Sequence, residues 1–586
     1  MQLIRSFHNF FICFFISEIK SLLNKLRYVR YFLININFFE YFLFLFNRNK
    51  FNPIKSKSFK SFIINNKKKW NEKAIHKQKN EIILIENFIN QPAYGISNAI
   101  IAKFLSKIKH IDQIIGFIRE GDIKSEVLFR SFGCKKIIYF KNKNFFLRIK
   151  YIFLAIYRTI NIYSINDFCK IKKNGIDLGL PAYDSFIRYT GIPSIEKINP
   201  QLIFFLAETL YVYDYFNEII NKNKNIKHLI QSETAFSPLN VFFQLSLKKS
   251  IKVYSRLGTD KFSIRIYNNL NQKYFYRANI SNKLLNEVHN NFASKCYKEI
   301  RKYYYNLNKK GFFGQDLRIR KKIKNKFEMI NKKKLLKIFN WSPKKKIVVF
   351  FLNHLIDVNF HSGPRTIFKD NYTWTKFLLN KITKIKNVNW ILKDHPSQPF
   401  YKARLNFENK ILELSKKYDH INSFNKTWNP LSIKNFSDIA ITSHGTAGIE
   451  YPSFGINSLY VENSFYSNVN IIKKINNKKI LIKKLNNLNK ETNLSKNKIK
   501  KANTFLYIRY LLLQIKCSLL PEHDTSRQIN EEEFWKKSTN LLKKFTFKKD
   551  KLYQMFKLQL RLDMRHTIDF KKLKLKKFKY NDLSEN

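Results

Sequence analysis

The chain has 586 residues, 44% of them hydrophobic, with 109 Lys and Arg against 42 Asp and Glu, for a formal net charge of +67. That length supports two or three domains with separate cores, and the apolar content excludes a disordered chain. The charge alone would point to nucleic acid, but Lys, Asn, Ile and Phe are abundant together and all have A/T-rich codons. The lysines are spread along the chain, so base composition accounts for the charge and no nucleic-acid partner is expected.

Two apolar runs come first, Phe7 to Ile16 and Tyr31 to Phe46. The first is too short to span a bilayer, and Glu40 and several asparagines interrupt the second. No small-residue cleavage site follows, which argues against a signal peptide. Flanked by Arg27, Arg30, Arg48 and Lys50, the segment 1–50 suits an interfacial amphipathic helix, and equally a helix packed on the protein itself. Residues 52–79, rich in Lys, Ser and Asn, read as a linker.

An α/β rhythm then begins. Strands are expected at Glu81 to Glu86, Gln113 to Ile118 and Ile137 to Phe140, with helices at Asn98 to Leu105 and Val127 to Phe132. Helices at 144–160 and 199–221, a strand near 226–231, a helix at 238–247 and the strand Ile251 to Ser255 complete a first Rossmann-like domain, 80–264. Residues 265–344 read as a helical connector. A second Rossmann-like domain, 345–500, has strands at 347–352, 389–393, 438–442 and 458–461. The tail, 501–586, is helical. The fold class expected is α/β, two such domains facing a cleft with helical extensions at both ends.

Two motifs follow strands of the second domain. Lys393-Asp-His-Pro396 emerges from the apolar strand Trp390 to Leu392, where ligands of open α/β sheets bind. Pro396 biases His395 away from helix. Lys393 supplies a point charge, and His395 a hydrogen-bond donor or acid, for an anionic leaving group. Some 50 residues on, Thr442-Ser-His-Gly-Thr446 opens a short helix bearing Glu450. Gly445 permits a tight turn, and the turn amides with the Ser443 and Thr446 hydroxyls suit a phosphate. The bland alternatives are a turn histidine before proline and an ordinary helix cap.

The pair of motifs resembles the C-terminal half of GT-B glycosyltransferases of bacterial surface-polysaccharide assembly, most of all capsule-type Kdo transferases. Bacterial sialyltransferases carry a similar His-Pro and Ser-Ser pair. The resemblance extends to Phe368–Trp374, Leu520–Asp524 with Phe534-Trp535, Arg565–Ile568, Gly175–Gly179 and Tyr183–Arg188. It departs at Thr442-Ser443, in place of Ser-Ser, and at the extra His444, which leaves the donor open.

The family implies a nucleotide-sugar donor as substrate, often CMP-linked, with no separate cofactor. It implies a glycan or glycolipid acceptor, and a place in the cytoplasm against the inner-membrane surface. Donor contacts would then come from Lys393, Pro396, Thr442, Ser443, His444, Gly445, Thr446 and Glu450. His395 is the catalytic candidate, and acceptor contacts fall to Asp184, Arg188 and Glu86. Strand-end carboxylates Glu120 and Glu233 are the candidate bases, although each is more readily a capping or solvated residue. Asp184 and Arg188, four apart, form a simple intrahelical pair on the bland reading.

No metal is expected. No two aspartates are separated by one residue, and His354, Asp357 and His361 show no fourth ligand. The five scattered cysteines (Cys13, Cys134, Cys169, Cys296, Cys517) fit a reducing compartment. Two alternatives stay open: a CDP-glycerol-type polyol-phosphate transferase, and a non-enzymatic basic protein that binds nucleic acid or membrane.

Overall fold

In the computed structural model the described residues are 56–70, 79–89, 91–141, 143–309, 327–357, 359–360, 362–396, 403–523 and 530–573. The membrane expectation for segment 1–50 therefore lies outside them.

Two α/β units are present, the first built on a mixed sheet that is mostly parallel and the second on a wholly parallel one. The first sheet runs β14-β8-β7-β6-β1-β2-β3, with β1 Lys79–Glu86, β2 Ile111–Arg119, β3 Lys136–Phe140, β6 Ile226–Gln231, β7 Lys252–Gly258, β8 Lys261–Tyr267 and β14 Ile515–Lys516. β4 Lys172–Lys173 and β5 Ile176–Asp177 form a separate small hairpin. The second sheet runs β11-β10-β9-β12-β13, with β9 Ile347–Phe351, β10 Asn389–Lys393, β11 Ile421–Ser423, β12 Ile439–Thr442 and β13 Asn457–Tyr460. All pairings within the second sheet are parallel. Its central strands are covered on both faces, which is why they read as continuous apolar runs: Ile347 to Phe350 and Ile439 to Ile441 are all buried.

The expected strands and helices are present with ends moved by a few residues. Three segments differ. Part of the expected linker is the helix Lys57–Trp70. It buries Phe59, Phe62, Ile63, Asn66 and Trp70, and packs Phe59 and Phe62 on Trp535 at ring distances of 4.7 and 5.0 Å. Its apolar stripe is real, but Lys67 to Lys69 disguise it as a basic linker.

The connector begins later than expected, because β8 runs antiparallel to β7 through Tyr267. The tail is not only helical. β14 adds to β8, and the Arg565 carbonyl accepts the Ile266 N–H at 2.8 Å. The tail thus crosses back from the second unit and covers the outer edge of the first sheet, an edge that would otherwise expose unpaired backbone groups. On the way it forms the helix Lys496–Tyr507, which packs on Asn282–Lys309 and ends in a π-turn, Ile508–Leu512.

Among the described residues no helix is long and apolar enough to cross a membrane.

Candidate active site between the two domains

In the first sheet the chain leaves β1 for β2 on one side and returns to β6 on the other. In the second it leaves β9 for β10 and returns to β12. Such switch points open crevices beyond the carboxyl ends of the strands. Each is bridged by one buried side chain. Glu86, at the end of β1, accepts the Ser232 N–H at 2.5 Å and the Phe88 N–H at 2.7 Å. Asn353, just past β9, accepts from the Ser443 N–H at 2.9 Å and the Thr442 hydroxyl at 3.2 Å.

The Thr442–Thr446 turn is closed by its own groups. Thr442 Oγ1 accepts the Gly445 N–H at 3.1 Å, and the Tyr466 hydroxyl donates to the Gly445 carbonyl at 2.8 Å. A side chain on Gly445 would meet Thr442 Oγ1 at 2.8 Å. The helix beyond is short, Ala447–Glu450, and passes into the 3-10 turn Tyr451–Phe454. Ser443 is fully buried, and its Oγ accepts from Arg365 at 2.6 Å. His444 is buried beside it, with Nδ1 3.2 Å from that oxygen. Thr446 alone of this group is exposed, and its hydroxyl donates to Glu450 at 3.2 Å. Across β9, His395 is half-buried with its ring edge-on to His354, centroids 5.6 Å apart. Lys393 is half-buried over the Phe424 ring, and Pro396 is exposed.

The loop after β9 carries these motifs to the first domain. The Asn359 N–H donates to Asp184 at 3.1 Å. Asp370 accepts the hydroxyls of Tyr183 at 3.0 Å and Ser194 at 2.6 Å. Arg188 pairs with Asp357 at 3.2 Å, across the cleft, in place of the intrahelical pair with Asp184 of the bland alternative.

Asp184 is itself buried, and with Leu180, Pro181, Ala235, Phe236, Asn240 and Phe360 lines a small hollow of about 20 Å³, room for about one water molecule. Phe236 holds a left-handed φ of 61° there, a costly conformation for a bulky residue. Burial pushes the Asp184 carboxyl up to about 7; the Asn359 N–H opposes the rise and the Asp357 charge adds to it, while Arg188 and Arg365 pull it back.

Other expected residues have different surroundings. Glu86 is wholly enclosed, and burial raises its pKa; it ties the ends of β1 and β6 together and offers no face to an acceptor. Glu233 is committed to Arg277 at 2.6 Å and to the Thr234 N–H at 2.8 Å, which leaves it an anchor rather than a base. Glu120 stands exposed at the end of β2, near Tyr211 and Tyr215. Glu450 is buried and accepts the Tyr510 hydroxyl at 2.5 Å. Burial raises its pKa against that bond and the nearby Arg509 charge. With Oε1 on Tyr510 and Oε2 on Thr446, it braces the turn from below. His354 accepts the Ile356 N–H at 3.3 Å, and His361 lies outside the described residues.

Four supporting residues escaped the sequence reading. Asn353 joins the strand ends. Arg365 is buried, and besides Ser443 it donates to the Phe368 carbonyl at 3.1 Å and Asn371 at 2.8 Å. Glu462, buried at the end of β13, accepts the N–H groups of Thr366, Ile367 and Phe368 at 2.6, 3.1 and 3.1 Å. Arg509, on the π-turn, lies 3.7 Å over the Phe465 ring, buried, with Nε and Nη1 lacking hydrogen-bond partners. The Gly363-Pro-Arg365 turn after a strand was the available signal for Arg365; nothing local marks the others.

Chemically, the strand ends offer a cation and a hydroxyl suited to a phosphate (Lys393 and Thr446), a histidine (His395), and, across from them, a carboxyl raised toward neutrality (Asp184).

No family model matches the sequence. No curated protein matches it. Among solved structures, the chain is similar to KpsC, beta Kdo 2,4 transferase, from Thermosulfurimonas dismutans: TM-score 0.32, 10% identity, over 50% of this chain and 83% of that one. It is similar to a glycosyltransferase from Rickettsia africae, with TM-score 0.24 and 12% identity over 73% and 93%. It is also similar to the wall teichoic acid polymerase TagF, with TM-score 0.19 and 11% identity over 78% and 93%.

Proposed function

We propose that this chain is a metal-independent glycosyltransferase of the GT-B type, taking a Kdo-like sugar from a CMP-activated donor to a surface polysaccharide or its lipid-linked precursor. Transfer takes place in the cytoplasm, against the inner-membrane surface. The observation that carries the reading is the convergence of the two strand-end motifs on either side of β9, with the loop after β9 delivering them to Asp184 of the first domain.

In this reading the donor phosphate lies among Lys393, His395 and Thr446. These groups stabilise charge that develops on the leaving nucleotide, usually the largest catalytic term. The acceptor presents one hydroxyl at the mouth of the small hollow beside Asp184. Its hydroxyl proton passes to the carboxylate, its oxygen bonds to the anomeric carbon, and the bond from that carbon to the donor phosphate oxygen breaks. The electron pair leaves with the nucleotide. Arg188 and Asp357 line the passage between the sites. The donor is the only small molecule the chemistry requires.

The test is a thermal-shift series with CMP, CDP, CDP-glycerol, UDP and GDP. A ligand at 100 times its Kd stabilises by about 2.7 kcal/mol, and CMP is expected to give the largest rise. UDP or GDP in its place corrects the donor. A response to CDP-glycerol alone transfers the reading to polyol-phosphate chemistry. Salt-sensitive DNA binding with no nucleotide response overturns it.

A further inference from the structure

The helix Phe145–Thr159 flanks the first domain and buries only one face. Tyr151, Ile152, Ala155 and Thr159 pack against the helix Pro200–Lys222, with the Tyr151 hydroxyl donating to Asp214 at 3.0 Å. The opposite face is bare and apolar. Phe146 is 79% exposed, Phe153 59%, Tyr157 77% and Ile160, next after the helix, 66%. Their spacing of seven, four and three residues aligns them in one stripe, and Tyr163, also exposed, continues it. Isolated exposed apolar residues need no explanation, but a contiguous stripe marks an interaction surface.

Charge identifies the partner. The only charged residues on Phe145–Thr159 are the cations Arg148, Lys150 and Arg158. Lys150 is exposed within the stripe, and Arg158 adjoins Tyr157. A helix with large aromatic and aliphatic side chains on one side and cations interspersed suits the interface of an anionic bilayer, where rings enter the acyl boundary and cations meet headgroups.

The geometry points to the exposed stripe of Phe145–Thr159 as a surface that seats the first domain on an anionic membrane, with Phe146, Phe153, Tyr157 and Ile160 inserted at the interface. Pro200–Lys222 packs on Phe145–Thr159 and also on Gly179–Thr190, the helix that carries Asp184 and Arg188. The hollow at Asp184 is thus one helix removed from the bilayer, within reach of an acceptor held there by a lipid. The inference extends the membrane part of the proposed function and does not depend on sugar transfer, since vesicle binding is measured without donor or acceptor.

The test is co-sedimentation of the full chain with vesicles containing phosphatidylglycerol or with phosphatidylcholine alone. The wild type is expected to pellet with the first and weakly with the second. The variant F146S/F153S/Y157S, altered only at exposed positions, is expected to keep its circular dichroism and melting temperature and to lose about tenfold or more in vesicle affinity. The charge variant K150E/R158E is expected to weaken binding at low salt and to matter less at high salt. The proposal is overturned if the serine variant pellets as the wild type does, or if the wild type binds neither vesicle. It is also overturned if the substitutions abolish self-association or single-stranded RNA binding while vesicle binding is unchanged. A failed nucleotide screen with intact, stripe-dependent vesicle binding would overturn the transferase reading alone.

Discussion

Arg188 reaches across the interdomain cleft to Asp357, 3.2 Å away, and leaves Asp184, one turn behind it on the same helix, without an ion pair. The pair with Asp357 is partly exposed on the aspartate side, so it contributes little to stability, about 1 kcal/mol or less. Its consequence is electrostatic. Asp184 is buried with one backbone N–H for a partner and a like charge nearby, which keeps its carboxyl protonated through the mildly acidic range.

Asp184 makes stability fall as pH rises. Its native pKa is about 7 against an ordinary 3.8, so between about pH 4 and 7 the native state holds a proton that the unfolded chain has released. The stabilisation is complete below the lower value and lost through the upper one, on the order of 4 kcal/mol in all. Urea unfolding at about pH 5 and about pH 8 should show the decline, and Asp184→Asn should flatten it. Turnover should rise with pH through the same neutral inflection, and vanish in that variant.

His395 sits at a half-buried turn, its ring edge-on to that of His354. His395→Ala should keep the wild-type melting temperature and lower kcat by about 10²–10³, the loss expected for one group that stabilises a developing charge. Unchanged turnover would reduce His395 to a turn residue.

Arg365 is the opposite case. Its guanidinium binds Phe368, Asn371 and Ser443 in the interior, 4.0 Å from the Glu462 carboxylate. Arg365→Met should destabilise by about 3–5 kcal/mol, because it strands a buried carboxylate and several acceptors. Arg365→Lys should recover only part, since a point charge cannot span the same partners. Denaturant midpoints with unchanged m-values check both.

Gly448 faces the Tyr466 hydroxyl, and a methyl group there would collide with it. Gly448→Ala should displace Tyr466 from the Gly445 carbonyl, loosening the phosphate turn and weakening nucleotide binding more than it lowers global stability. Tyr466→Phe should lose the hydrogen bond alone, about 0.5–1.5 kcal/mol. The double variant should be less destabilised than the sum, as expected for two changes that share one contact; strict additivity would show that the collision is relieved elsewhere.

By itself the sequence determined the α/β order, most strand positions and the two strand-end motifs, because side-chain period and turn residues act over a few neighbouring positions. The expected β6 coincides with Ile226–Gln231 and β10 with Asn389–Lys393. It could not show that lysines conceal a core helix at Lys57–Trp70, or that Glu86 and Glu233 are consumed by strand-end bonds. Those outcomes depend on burial. The tertiary structure alone decided the cleft's partners: Asp184 with Asn359, Tyr183 with Asp370, and Ser443 with Arg365. Each contact joins segments dozens to nearly two hundred residues apart. No local periodicity encodes such a meeting: the first two contacts need the two units packed together, and the third needs the loop after β9 folded back on the turn after β12.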